Sequence, residues 1–374
     1  MKMVEKVPKL VQAIKTLKLP AVVAFGNPLL DIIVILENDE LLKKYNLKVD
    51  GELELPEKKM QQLIADLPAD AEQTISAGGS AQNTLRILQW LCGGPSSSPV
   101  GIYYGGIGKD ARGNMLESLV RAAGVDTRYA VHPTLPTGVC VSLITGSSRS
   151  LAANIGAAGV YTLDDVIRCK FPRDAIKIVY IEGFFVTHSL DVAKQLVELT
   201  RDTKIISAFN LNGVYIFQDH HDAIFEMVGL AKIVFGNARE MIALAQALDL
   251  KFDDVTDIPF LLNNLKRVTV GVSSLSNKDW LSDEGVFIMT QGGSSPAIAV
   301  WGQGQSVQVQ PITPKNPVVD TTGAGDALVA GFLAGVLAGW DPKNCLEYGC
   351  KVASFMVTRL GVTLSNLVPP DLLQ

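Results

Sequence analysis

The sequence predicts an α/β protein: a doubly wound, mostly parallel central sheet with helices on both faces, plus a small lid domain built on a second β-sheet. Three observations predict it. Apolar, β-branched runs bounded by Gly or Asn alternate with amphipathic stretches, the pattern left by strands buried on both faces and the helices that cover them. Two segments, 32–76 and 134–155, break that rhythm with short alternating strands and turns. A chain of 374 residues with 48% hydrophobic composition can bury one large core and a smaller appended one.

In chain order, MKMVEKVPKLVQAIKTLKLP at 1–20 has scattered Lys, Pro8 and no long apolar core, which reads as a surface helix rather than a targeting signal. AVVAFGNPLLDIIVIL reads as a buried strand, and DELLKKYNLKVDGELELPEKKM opens the first lid segment. CGGPSSSP at 92–99 is a loop, VGIYYGGIG a strand and GNMLESLVRAAG a helix. TLPTGVCVSLITGSSRSLAANI forms the second lid segment. IKIVYIEGFFV, KIISAFNLN and AKIVFGN are further buried strands, interleaved with the helical stretches SLDVAKQLVELTRD, HDAIFEMVGL and AREMIALAQAL. The expected division is therefore a large domain of 1–31, 77–133 and 156–374 and a lid of 32–76 and 134–155. In such a sheet, ligands gather at the carboxyl ends of the strands.

Composition narrows the partners. Against 33 Lys and Arg stand 38 Asp and Glu, and no dense basic stripe is present to neutralise a nucleic-acid backbone, so a small-molecule partner is expected. The longest apolar run, Ala327 to Trp340, is too short to span a bilayer. Five scattered cysteines without a C-x-x-C pair argue against a disulfide framework or zinc site and for a reducing compartment, the cytoplasm, with the nucleus left open. The only Gly-Lys pair, Gly108-Lys109, precedes Asp110, so there is no P-loop. No H-E-x-x-H occurs, and His132, His188, His220 and His221 have no metal-ligand spacing. GGIGKDA offers Gly106, Gly108 and Ala111 in a partial dinucleotide fingerprint with Asp126 downstream, a weak match because Gly113 would fall inside the helix that pattern requires.

The most specific stretch is VVDTTGAGDALVAGF, residues 318–332. A Gly-Ala-Gly turn feeding a helix leaves backbone N–H groups unpaired at the positive end of the helix dipole, an anion hole that Gly323, Ala324 and Gly325 let a phosphate approach closely. Asp326, in the first helical turn, is placed to take a proton from an attacking hydroxyl while the amides hold the charge of a transferring phosphoryl group. The same residue could also be a helix-start carboxylate and nothing more.

DTTGAGDA resembles the signature of the ribokinase-like, or PfkB, carbohydrate and nucleoside kinase family. GGIGKDARG is similar to that family's first glycine-rich signature, and FGNARE carries Asn237 and Glu240 in its N-x-x-E pattern. The resemblance implies a ribokinase-like fold, ATP as phosphoryl donor, Mg2+ near Asn237 and Glu240 held largely through water, and a possible monovalent cation such as K+. On the ATP side it implies Asn237, Thr290, Gly292, Thr322, Gly323 and Gly325.

GNPLLDI, AGGSAQNT and PTGVCVSLITGSSRSLAANI are similar to the branch of the family that phosphorylates adenosine, and the similarity runs from about residue 21 to about 368. It implies that Asp31, the backbone at Gly78 and Gly79, and Asn83 hold the ribose hydroxyls, and that Asn27 and Ser80 meet polar edges of the purine. Leu29, Leu53, Cys140, Leu151, Ile155, Phe185 and Tyr215 would wall its faces, and Arg149 would contact the transferring phosphate. Thr322 departs from the Asn usual in that branch and matches the form common among sugar kinases, and Asn212-Gly213 replaces a small polar residue and Ala. The expected activity is therefore ATP-dependent phosphorylation of the adenosine 5′-hydroxyl. A sugar kinase or another purine nucleoside kinase is the alternative, and a non-catalytic nucleoside-binding protein a remote one. A monomer is expected, with pairing through the lid sheet as the other arrangement.

Overall fold

Val22–Phe25 (β1) is a run of four apolar residues with no exposed surface, and it stands inside a large sheet in the computed structural model. The structure describes residues 9–49, 51–146, 148–172, 174–201, 203–250, 261–266, 281, 285–365 and 367–372. Among these, a small sheet is made by β2 (Leu29–Leu36), β3 (Glu52–Glu54), β4 (Gln73–Gly78), β7 (Gly138–Thr145) and β8 (Ser148–Asn154), in the order β3-β8-β7-β2-β4. β1 belongs to the large sheet with β5 (Gly101–Gly108), β6 (Asp126–His132), β9 (Ile178–Glu182), β10 (Ile206–Asn210), β11 (Ile233–Asn237), β12 (Val286–Thr290), β13 (Ala297–Trp301) and β14 (Gln305–Val309).

The large sheet has the order β14-β13-β12-β11-β10-β9-β1-β5-β6. It is parallel from β6 to β12, and β13 and β14 add an antiparallel edge that the sequence pattern did not predict. From β1 the chain moves outward through β5 and β6, then returns to β9 on the other side of β1. The carboxyl ends of β1 and β9 are thus where the winding reverses, and in an open α/β sheet the crevice forms at that switch point.

Helices cover both faces. The described ones are α1 (Lys9–Lys15), α2 (Glu40–Lys44), α3 (Glu57–Ala65), α4 (Ser80–Cys92), α5 (Ala111–Ala122), α6 (Leu163–Arg168), α7 (Gly183–Glu198), α8 (Ile216–Leu230), α9 (Ala238–Ala247), α10 (Ala324–Leu337) and α11 (Pro342–Met356). On one face the core joins α1, α4, α5, α10 and α11 to the sheet. On the other it joins α7, α8 and α9. A separate core under the small sheet packs Ile32, Val34, Val141 and Leu143 on Leu42, Met60 and Leu63 of α2 and α3. Leu10 and Ile14 of α1 are buried, while residues 1–8 of the expected N-terminal helix lie outside the described residues. No helix among the described residues is long and apolar enough to cross a membrane.

Two predicted strands divide. AVVAFGNPLLDIIVIL crosses between sheets at Gly26–Pro28, where Gly26 packs on the Glu182 carboxylate, so β2 with Leu29 and Asp31 is part of the small sheet. IKIVYIEGFFV stops as a strand at Glu182, and its GFFV opens α7. α4 sits between the sheet and α10 and is buried from Ala81 through Cys92.

Candidate active site

The carboxyl ends of β1, β9, β10, β11 and β12 deliver Asn27, Glu182, Asn210, Asn237 and Thr290 to one cavity of about 760 Å3, which the small sheet covers with Asp31, Leu53, Cys140, Arg149 and Leu151. Its volume is that of a site for a drug-sized or nucleotide-sized ligand.

One end of the cavity is the start of α10. Gly323, the helix N-cap, has φ +74°, and a Cβ there would stand 2.3 Å from Val362. A left-handed, side-chain-free residue is therefore required. No side chain caps this helix. The Ala324 N–H donates to Thr321 O at 3.2 Å, and Ala324 does not line the cavity, so of the three expected amide donors Gly323 and Gly325 face the cavity and Ala324 is held in the turn.

Asp326 lies one residue further on. Its Oδ1 accepts from Ser80 Oγ at 2.7 Å, and Ser80 in turn accepts from Asn212 Nδ2 at 2.7 Å. Asn212 has φ +65°, a conformation Asn tolerates, and its Oδ1 accepts from Gly183 N at 2.8 Å. The Asn-Gly departure seen in the sequence thus orients the serine that touches the carboxylate. Burial pushes Asp326 from 3.8 up to about 6, against the hydrogen bonds from Ser80 and Asn83 and the charge of Arg149, which pull it down. A base poised just below neutral pH suits proton abstraction.

The other end sets a buried carboxylate beside an apolar wall. Asp31 on β2 lies over Gly78, where a Cβ would meet its carboxylate at 1.9 Å. Gly78 makes room for Asp31 rather than lining the cavity. Gly79, at φ +86°, brings its backbone against Asn27 O. Burial raises Asp31 to about 7, while the Arg86 and Arg149 guanidinium groups lower it. Arg86 is itself buried and bonds Ala77 O and Asn83 Oδ1 at 2.8 and 3.0 Å. Asn83 lines the cavity beside Gly79 and Ser80, and Leu29, Leu53, Cys140, Leu151, Ile155 and Tyr215 supply the apolar wall.

Phe185 does not. It is fully buried in the core against Phe25 and Tyr161, and its neighbour Phe184 lines the cavity instead, stacked on Tyr215 with centroids 5.9 Å apart. Successive residues of a helix point about 100° apart, so once Gly183 starts α7 only one Phe of the pair can face the cavity. Gly292 also lies outside the cavity lining, whereas Thr290 and Thr322 are within it.

Glu52, Glu54, Glu182, His188 and Arg239 line the cavity without having been expected there. Glu182 is 1% exposed and accepts from Asn27 N and Ala81 N, both at 2.6 Å. Burial lifts its carboxyl to about 8. Asn27 Nδ2 is spent on Phe184 O at 2.8 Å, which leaves its Oδ1 buried without a partner and available to a ligand. Glu54 on β3 and His188 on α7 face each other across the cleft at 3.7 Å, and Glu52 and Arg239 also line it. Of these, the buried Glu182 was the most accessible to inference, since an acid between an apolar strand and Gly at a strand's carboxyl end marks a site rather than a core.

Asn237 and Glu240 form a reciprocal capping box at the start of α9. Glu240 N donates to Asn237 Oδ1 at 3.0 Å, and Glu240 accepts from Asn237 N and Nδ2 at 2.8 and 2.7 Å. Burial raises Glu240 to about 7. Among the described residues no three acidic, His or Cys groups cluster as metal ligands. Glu240, one of several carboxylates that line the cavity, fits Mg2+, which keeps most of its waters and takes phosphate oxygens as ligands.

Residues 56–368 match the pfkB family carbohydrate kinase pattern. The chain belongs to that family. Among relatives of this pfkB-family chain, adenosine kinase 2 of Arabidopsis thaliana is 29% identical over 343 residues, covering 90% of this chain and 94% of that protein. Adenosine kinase of Schizosaccharomyces pombe is 30% identical over 349 residues, covering 91% and 96%. Among solved structures, Anopheles gambiae adenosine kinase in complex with P1,P4-di(adenosine-5) tetraphosphate superposes with a TM-score of 0.77 at 29% identity, over 92% of this chain and 97% of that one. Schistosoma mansoni adenosine kinase with 2-fluoroadenosine gives 0.79 at 25% identity, over 93% and 98%. The expected ribokinase-like fold and family hold.

Proposed function

We propose that this kinase transfers the γ-phosphoryl group of ATP to the 5′-hydroxyl of adenosine, giving AMP and ADP. The observation that carries the proposal is the pairing, in one cavity, of Asp326 at an uncapped helix start with a buried carboxylate and a Phe184–Tyr215 aromatic stack on the nucleoside side. Relatives of matching length are adenosine kinases, and two solved ones hold adenosine derivatives.

Asp31 and Asn83 take the ribose hydroxyls, donors that suit a carboxylate and an amide. The purine lies against Phe184, Tyr215 and the leucines of the small sheet. The 5′-hydroxyl then points to Asp326, which accepts its proton as the oxygen attacks phosphorus in line. The Gly323 and Gly325 amides and the Arg149 guanidinium hold the charge of the moving phosphoryl group. Magnesium, held through water by Glu240 and by the phosphates, would neutralise charge on the ATP oxygens. The small sheet shuts out water, a competing acceptor.

A sugar kinase is the second reading, and Thr322 is the observation that favours it. The aromatic surface of Phe184 and Tyr215, which suits a flat base better than a polyhydroxyl pentose, weighs against it. Asp326→Asn should lower kcat by roughly 10² to 10⁴ while adenosine still binds, measured by turnover and calorimetry. Near-normal turnover in that variant would remove Asp326 from the mechanism.

A further inference from the structure

Thr322 stands in the anion loop, yet the mechanism above gives it no task. Its hydroxyl has one hydrogen, and Asp320 takes it: Thr322 Oγ1 donates to Asp320 Oδ1 at 2.7 Å. Asp320 is buried, and it is fixed by two further donors, Thr322 N at 2.9 Å and Gly361 N at 2.8 Å. Only lone pairs of the Thr322 oxygen remain, and Arg149 Nη1 donates to that oxygen at 2.9 Å. Arg149 belongs to β8 of the small sheet and Thr322 to the loop before α10. The contact therefore spans the cleft over the phosphate end of the cavity.

We infer that Thr322 is a positioning residue for phosphoryl transfer: its hydroxyl, aimed by Asp320, docks the Arg149 guanidinium on the anion loop before the phosphate arrives. The inference rests on the proposed role of Arg149 at the transferring phosphate. A guanidinium presents five donors in a planar fork, so the single Nη contact with Thr322 uses only part of what the group can offer a phosphate. Ordering this long side chain in advance removes part of the entropy cost that would otherwise fall on the transition state. The β-branched Thr holds its hydroxyl in few rotamers, which keeps the acceptor aimed. An apolar side chain of the same shape would keep the loop and lose the dock.

The test is a kinetic cycle on the full chain with adenosine and Mg-ATP, using Thr322→Val, Thr322→Ser, Arg149→Met and the Val/Met double variant. Thr322→Val should lower kcat on the order of tenfold, with KM for both substrates within about twofold. Thr322→Ser should recover most of the loss. In the Arg149→Met background Thr322→Val should have no further effect, because the group it positions is gone. An equal loss in both backgrounds, an unchanged kcat in Thr322→Val, or a change confined to KM for ATP would overturn the inference. A near-normal kcat in Arg149→Met would instead reject Arg149 at the phosphate, a separate failure of the underlying reading.

Discussion

Replacing Ser80 by Ala removes the hydroxyl that donates to Asp326 at 2.7 Å, and the consequence is a shift in the pH dependence of turnover. Asp326 must be ionised to act as base, so kcat rises with pH through its pKa, about 6 in the native site. A hydrogen bond to a charged group is worth about 1.5–3 kcal/mol, and one pKa unit corresponds to about 1.4 kcal/mol. Asn83 still stabilises the ionised form, so the lower end of that range applies and the limb should move up by about one unit. At pH 6 the native base is half ionised and the variant's about one-tenth ionised, a roughly fivefold difference in kcat that vanishes above about pH 8.5. The assay is ADP release at saturating adenosine and Mg-ATP from pH 5 to 9, so that titration of Asp31, assigned above to nucleoside binding, does not enter. A limb that stays in place, or moves to lower pH, would refute the claim that Ser80 stabilises the ionised base.

Two paired substitutions separate site from scaffold. Phe184→Ala should raise KM for adenosine with little change in Tm, whereas Phe185→Ala, in the core, should cost about 3–5 kcal/mol of stability; thermal melts and KM measurements on both check the assignment. Gly323→Ala should destabilise by at least about 1–2 kcal/mol, because φ is positive and Val362 blocks the Cβ. A Cβ at Gly325 meets nothing within 4 Å, so Gly325→Ala should melt normally but lose kcat by crowding the phosphate, read from Tm and turnover together.

The parallel sheet was legible because strands buried on both faces leave near-continuous β-branched runs, as at Val22–Phe25 and Ile233–Asn237. The break at Gly26–Pro28 was not, since both halves of that stretch are apolar and only tertiary structure assigns them to different sheets. α4 has weak sequence contrast because its polar residues are buried and satisfied: Gln82 donates to Gly78 O at 2.6 Å and Gln89 to Gly94 O at 2.9 Å. The GAGD turn was legible as chemistry, because glycines at a helix start have few other uses. The contact of Ser80 with Asp326 was not legible: the two lie 246 residues apart in sequence, and the resemblance had implied that Ser80 meets a polar edge of the purine. Asn237 and Glu240 show a different limit: the three-residue spacing of an N-cap and its partner serves a capping box and a metal-side pair alike. Phe184 and Phe185 differ only in helical phase, which depends on where α7 begins.

The most direct test of the account is the acceptor itself. The purified protein is given Mg-ATP with adenosine, inosine, guanosine, D-ribose or D-fructose, and both ADP release and the phosphorylated product are measured. The account predicts AMP from adenosine at a kcat/KM well above that for either free sugar. Preferential phosphorylation of ribose or fructose, with adenosine left untouched, would contradict it.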